Sequence, residues 1–125
     1  MRVLIADDQK HARSGLRALL CATAPDVEIE EAADGLEAER AAEEFRPDIV
    51  VLDLHMPRED GLAALRWLRA HLPQVRLLAM SIEPAHEAEA LAAGADAFAC
   101  KCESPERLLA QLARLGLGTG PRDPS

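Results

Sequence analysis

The arrangement of the whole chain follows from the stretch Pro47-Asp48-Ile49-Val50-Val51-Leu52-Asp53-Leu54-His55-Met56-Pro57. Ile49 to Leu52 form an unbroken apolar run, which is typical of a strand buried on both faces of a parallel sheet. Asp53 follows directly, where the strand leaves the core, and Met56-Pro57 then turns the chain away. Because ligands of open α/β sheets bind outside the carboxyl ends of the strands, Asp53 lies where chemistry is expected.

Strands and helices alternate on both sides of this stretch. The second strand alternates apolar and acidic residues, so one of its faces is wet and it belongs at a sheet edge. Short connections and right-handed crossovers then favour an α/β, flavodoxin-like fold: a doubly wound five-stranded parallel sheet in order 2-1-3-4-5, with five helices. The predicted strands are 3–6, 27–30, 49–52, 75–80 and 97–100, and the predicted helices are about 9–22, 35–44, 61–71, 84–92 and 104–115.

The fourth helix is predicted to be short and weakly packed, because Pro84 sets its start and Gly94 its end. Its predicted inward residues include one large side chain, whereas the third helix places four leucines inward. We therefore expect the fourth helix to be the least firmly held element. The inward sets are Ala85, Ala88, Leu91 and Ala92 for the fourth helix, Leu62, Leu65, Leu68 and Leu72 for the third, and Leu36, Ala41, Ala42 and Phe45 for the second.

The length and composition of the chain limit which classes of protein it can belong to. We expect residues 1–115 to form one domain and residues 116–125, which lack periodicity, to be a flexible tail or the start of a linker. A formal net charge of −8 argues against nucleic-acid binding by this chain alone. The apolar runs are too short for a signal peptide or a membrane span, which predicts a cytoplasmic protein with no membrane contact. Cys21, Cys100 and Cys102 suggest neither a disulfide framework nor a zinc site, so we expect inert thiols.

Polar residues end four of the predicted strands at the same edge of the sheet. Crowded carboxylates repel one another, and a hard divalent cation such as Mg²⁺ relieves that repulsion. An Asp can also act as a nucleophile and form an aspartyl phosphate, provided that charge on the phosphoryl oxygens is neutralised. A lysine ammonium, a serine hydroxyl and Mg²⁺ supply that neutralisation. The residues are Asp7, Asp8, Asp53, Ser81 and Lys101.

The chain resembles the CheY-like receiver domain of response regulators in two-component signalling, over residues 2–115. Gly15 to Leu20 and the Ser104-Pro105-Glu106 ending are similar to the NarL-type branch, whose members usually carry a C-terminal helix-turn-helix domain that this sequence lacks. The resemblance implies control of transcription through such an output domain. The matching residues are Asp7-Asp8, Asp53, Met56-Pro57, Asp60-Gly61, Ser81, Gly94-Ala95 with Phe98, and Lys101.

The resemblance implies a role for each site residue. Asp53 would be the phosphoacceptor, with a sensor histidine kinase or a phosphotransfer protein as donor and a homodimer as one outcome of phosphorylation. Ser81 and Lys101 would hold the phosphoryl group, and the aromatic switch residue Phe98 would turn inward as Ser81 moves. His55 and Glu83 would line the path of the hydrolytic water. The metal ligands would be Asp7, Asp8, Asp53 and the backbone carbonyl of His55.

The sequence departs from the family in one segment and leaves two alternative functions open. The segment from Ser81 to Lys101 is shorter than is usual for the family, which puts the output surface in question. The alternatives are a receiver-like interaction module that is never phosphorylated and a haloacid-dehalogenase-like phosphatase. The phosphatase would need a general-acid Asp at position 55, where this chain has His55. We therefore expect a phosphoryl acceptor that autodephosphorylates, not a conventional enzyme.

Overall fold

A five-stranded parallel sheet forms the centre of the molecule. The computed structural model describes residues 1–56, 61–101 and 103–117. The strand order is β2-β1-β3-β4-β5 with every pair parallel, which confirms the predicted flavodoxin-like arrangement. The strands are Arg2–Ala6 (β1), Glu28–Ala32 (β2), Ile49–Asp53 (β3), Arg76–Ser81 (β4) and Ala97–Cys100 (β5).

Helices cover both faces of the sheet and create two separate apolar cores. The second, third and fourth helices pack on one face and the first and fifth on the other. The central strand β3 is buried along its whole length, whereas the edge strand β2 alternates between exposed and covered residues. The helices are Lys10–Thr23 (α1), Gly35–Phe45 (α2), Gly61–His71 (α3), Glu87–Ala93 (α4) and Pro105–Arg114 (α5), and a 3₁₀ turn, Pro84–His86, precedes α4.

Two helices begin with side-chain caps. The side chain of Asp34 accepts a hydrogen bond from the backbone N–H of Glu37, and the Glu37 carboxylate accepts one from the N–H of Ala33. The Ser104 side chain likewise accepts from the Arg107 N–H at the start of α5. Asp34 lies just beyond the carboxyl end of β2, and Ser104 lies just beyond that of β5.

The predicted inward face of α4 is wrong. Ala85, Ala88, Leu91 and Ala92 are exposed, with Leu91 at 45%, and the residue that is fully buried is Ala90. The first turn, Pro84–His86, is a 3₁₀ turn with 3.0 residues per turn, so a pattern counted from Pro84 with the α-helical period is out of phase. Leu36 at the start of α2 is also exposed, against expectation.

Gly61 fixes the distance between α3 and the end of β3. A Cβ at this position would lie 2.7 Å from the Asp53 carbonyl oxygen and closer still to Leu54 Cα, and neither backbone atom can move aside. Only a residue without a side chain lets the helix start this close to the site. Gly94 ends α4 with a φ of 118°, a left-handed conformation that favours glycine.

The packed structure reaches slightly past α5. Leu117 is buried against the core formed by α1 and α5, two residues beyond the expected domain end at 115. The expected tail, 116–125, otherwise lies outside the described residues from position 118 onward, and so does Asp60, one of the residues that match the family. Within the described residues, no helix has the length and apolar character that crossing a membrane requires.

Candidate functional site

Three aspartates meet at the carboxyl edge of the sheet. Asp7 follows β1 and is buried, Asp53 is the last residue of β3 and is 2% exposed, and Asp8 faces solvent. One carboxylate oxygen from each lies within 4.8 Å of the others. The donor set fits Mg²⁺, which binds hard oxygen ligands and keeps several waters, and the exposed Asp8 leaves a side open for those waters.

Backbone N–H groups orient the two buried carboxylates in the same way. The N–H of Gln9 donates to Asp7 Oδ1 at 2.9 Å, and the N–H of His55 donates to Asp53 Oδ1 at 3.0 Å. In each case the donor lies two residues after the acid, which is the geometry of an Asx turn. The second oxygen of each carboxylate, Oδ2, is therefore left to face the space between β1 and β3.

The Lys101 ammonium group occupies that space. Its Nζ lies 2.9 Å from Asp7 Oδ2 and 3.1 Å from Asp53 Oδ2. The Lys101 backbone N–H donates to the Ser81 carbonyl at 2.8 Å, which continues the β4–β5 pairing and fixes the base of the side chain. Burial alone would lower the pKa of Lys101, but the hydrogen bonds and negative charges of Asp7 and Asp53 outweigh it, and the pKa is raised above its usual value.

Ionisation of the Asp53 carboxyl group costs free energy at this buried position. Burial raises the pKa of its carboxyl group above the usual value, and the nearby Asp7 charge raises it further. The His55 N–H and the Lys101 ammonium lower the pKa but do not outweigh burial. A divalent cation held by the aspartates would favour the ionised form, in which the carboxylate is a nucleophile.

Ser81 lies beside this group, and its hydroxyl is fully engaged within the protein. The residue is 0% exposed, its Oγ accepts a hydrogen bond from the Glu83 N–H at 3.0 Å, and its Oγ lies 2.7 Å from Nδ1 of His86. His86 is not among the residues predicted from the sequence, because residue 86 was expected to lie inside an α-helix that starts at Pro84. The signal that could have found it is a histidine five positions after Ser81 in an unusually short segment.

The remaining predicted residues lie around this centre with different degrees of exposure. The exposed His55 ring is 5.2 Å from the His86 ring, between centroids, and among the described residues it makes no hydrogen bond with the exposed Glu83. Phe98 is already buried in the core beside Ala79, so its role as a switch residue stays a prediction. Cys100 is disulfide-bonded, so the expectation of an inert thiol is wrong for it, and Cys102 lies outside the described residues.

A comparison with known protein families assigns the class. Residues 3–113 match the sequence model of the response regulator receiver domain, so the chain belongs to that family, whose members are switch modules of two-component signalling. The resemblance inferred from the strand-end residues is thereby confirmed.

Its relatives include regulators from several bacteria. The chain is 40% identical over 112 residues to the uncharacterized transcriptional regulatory protein YhcZ of Bacillus subtilis, covering 87% of this chain and 52% of YhcZ. It is 37% identical over 125 residues to the response regulator MprA of Mycobacterium avium, covering 98% of this chain and 54% of MprA. The chain thus spans about half the length of these curated relatives.

Solved structures agree on the fold. A two-component response regulator of the LuxR family from an Aurantimonas species matches with a TM-score of 0.82 and 35% identity, covering 91% of this chain and 84% of that one. The response regulator domain of CheB from Thermotoga maritima matches with a TM-score of 0.81 and 28% identity, covering 98% of each chain. The CheY-like receiver fold is therefore confirmed.

Proposed function

We propose that this receiver domain accepts a phosphoryl group on Asp53 in an Mg²⁺-dependent reaction, with a sensor histidine kinase or a phosphotransfer protein as donor. The observation that carries the proposal is the shared geometry of Asp7, Asp53 and Lys101. Both buried carboxylates turn one oxygen to a backbone N–H and the other to Lys101 Nζ. This arrangement leaves a nucleophilic oxygen beside a fixed positive charge.

Each residue of the site has a separate role in the phosphoryl transfer. An Oδ atom of Asp53 forms a bond to phosphorus as the P–N bond to the donor histidine breaks, and the electron pair of that bond leaves with the imidazole. The Lys101 ammonium neutralises charge on the phosphoryl oxygens, and Ser81 donates its hydroxyl proton to one of them. Asp7, Asp8, Asp53 and the His55 carbonyl would hold Mg²⁺, which supplies further charge neutralisation.

Other parts of the signalling role rest on the family and on the charge of the chain. We expect autodephosphorylation, with water approaching past His55 and Glu83, because both side chains are exposed beside the site. We also expect a cytoplasmic location, a homodimer on phosphorylation and control of transcription through an output domain, and the last of these fits the name of YhcZ, a transcriptional regulatory protein. The net charge of −8 supports a chain that does not itself bind nucleic acid.

A phosphorylation assay tests the proposal. We expect the intact mass to rise by one phosphoryl group when the protein is incubated with Mg²⁺ and acetyl phosphate, and not to rise when EDTA replaces Mg²⁺. Asp53→Asn should abolish the gain, while Asp26→Asn, which changes an exposed acid away from the site, should keep it. An unchanged yield in Asp53→Asn would contradict the proposal, and multiple-turnover hydrolysis of a phosphomonoester would favour the phosphatase alternative.

A further inference from the structure

His86 is part of the site through Ser81, although it is not among the residues that carry the resemblance to the family. Its Nδ1 lies 2.7 Å from Ser81 Oγ, and its ring lies against that of His55. We propose that His86 is a positioning residue that holds the Ser81 hydroxyl in the unphosphorylated protein and loses it to the phosphoryl group when Asp53 is phosphorylated. This inference rests on the proposed function.

The hydrogen bonds of Ser81 show why His86 competes with a phosphoryl oxygen. A serine hydroxyl has one proton to donate and two lone pairs that accept. Its Oγ already accepts from the Glu83 N–H, and because Ser81 is 0% exposed, solvent cannot take the proton. The tautomer of His86 that carries its ring proton on Nε2 accepts the Ser81 proton at Nδ1, 2.7 Å away. The hydroxyl therefore has no second proton for a phosphoryl oxygen until it leaves His86.

A phosphoryl group on Asp53 would take the hydroxyl from His86. Ser81 sits next to Lys101 in the β4–β5 pairing, and Lys101 Nζ reaches Asp53 Oδ2, so all three residues border one space. A phosphoryl group brings three strong acceptor oxygens into this space. A hydrogen bond to a charged oxygen is stronger than one to a neutral imidazole, so the hydroxyl turns to the phosphoryl group.

Release of His86 would loosen the start of α4. His86 is the last residue of the 3₁₀ turn and joins α4 directly, and its N–H donates to the Glu83 carbonyl at 3.0 Å. The helix itself fully buries only Ala90. The bond between Ser81 and His86 is therefore one of the contacts that tie this end of α4 to the sheet.

Binding of beryllofluoride, a phosphoryl analogue, with Mg²⁺ measures the competition directly. His86→Ala should raise the affinity of the full chain by about two- to tenfold, the equilibrium effect of one neutral hydrogen bond. His86→Asn is the matched control, because its Oδ1 offers an acceptor near the place of Nδ1, and it should bind as the wild type does. An affinity of His86→Ala equal to that of the wild type would overturn the proposal.

A double-mutant cycle with Ser81→Ala shows whether the effect passes through the hydroxyl. In the Ser81→Ala background, His86→Ala should no longer change the affinity for beryllofluoride, since the competing proton is absent. The same change in both backgrounds would mean that His86 acts elsewhere, and would overturn the proposal.

Hydrogen exchange of the unphosphorylated protein separates this inference from the proposed function. Ser81→Ala and His86→Ala should each speed exchange of the α4 amides, and the double variant should be no faster than either one. Additive effects of the two substitutions on exchange would contradict the proposal that His86 holds the Ser81 hydroxyl. If the wild type bound no beryllofluoride and gained no phosphoryl group, the proposed function would fail, while non-additive exchange would still support the contact between Ser81 and His86.

Discussion

The Lys101 ammonium lies 3.1 Å from Asp53 Oδ2. Within the described residues, this is the only edge of the sheet where two buried strand ends, those of β1 and β3, both present aspartates. The lysine comes from β5, two strands away from β3 in the sheet. It therefore reaches across the end of β4 to the acid. This contact links the proposed nucleophile to the part of the molecule that carries Ser81, His86 and α4.

Asp53→Asn should stabilise the metal-free protein at neutral pH. Because the folded-state pKa of Asp53 is raised, ionised Asp53 costs stability, and the cost is absent below the unfolded value near 3.8 and complete above the folded pKa. The advantage of the variant should therefore grow as pH rises from about 4. Urea unfolding across pH measures it, with Asp26→Asn as the control. Added Mg²⁺ should shrink the advantage, and a destabilised variant at pH 7 would contradict this account.

Glu31→Gln should lower the free energy of unfolding by about 1 kcal/mol at pH 7. The Glu31 carboxylate bonds Arg13 Nε at 2.9 Å and Arg17 Nε at 2.7 Å, which ties α1 to β2. Burial alone would raise the pKa of Glu31, but the two arginines lower it below 4.5. The stabilisation is therefore present above pH 4.5 and is lost as pH falls through the folded pKa. Glu30→Gln, on the exposed neighbour, is the matched control, and equal effects of the two changes would refute the prediction.

Gly61→Ala should destabilise the fold by about 2–3 kcal/mol, because the added methyl group meets backbone atoms of Asp53 and Leu54 that cannot move aside. It should also slow phosphorylation, since the loop after Asp53 is displaced. Gly15→Ala is the control: a Cβ there has open space, and in a helix it should add up to about 1 kcal/mol. Thermal unfolding compares the two, and a neutral Gly61→Ala would contradict the close packing described here.

The sequence was most informative where residue type and strand position coincide. Asp7, Asp53, Ser81 and Lys101 each end a buried run, and parallel strands bring their ends to one edge, so the position of these residues at that edge could be predicted without coordinates. The surroundings of Ser81 could not be predicted. Whether residues 84–86 form an α-helical turn or a 3₁₀ turn depends on packing against the sheet. The type of turn determines which face of α4 is exposed and whether His86 contacts Ser81.

The amides of α4 should exchange with solvent well before those of α3. The fourth helix has seven residues and fully buries Ala90, whereas α3 has eleven and buries Ala64, Leu65 and Leu68. Elements with little buried apolar surface open first in the native state. Native-state hydrogen exchange compares residues 87–93 with 62–71. Equal protection in the two helices would show that α4 is held by contacts other than its buried side chains.

Chemical trapping shows directly whether Asp53 is the residue that carries the phosphoryl group. Borohydride reduces an aspartyl phosphate to homoserine, so the modified position can be read by peptide mass spectrometry after treatment with Mg²⁺, acetyl phosphate and borohydride. The account predicts homoserine at position 53 and aspartate retained at positions 7 and 8. Homoserine at either of those positions, or a phosphoryl group that survives on a residue other than Asp53, would contradict it.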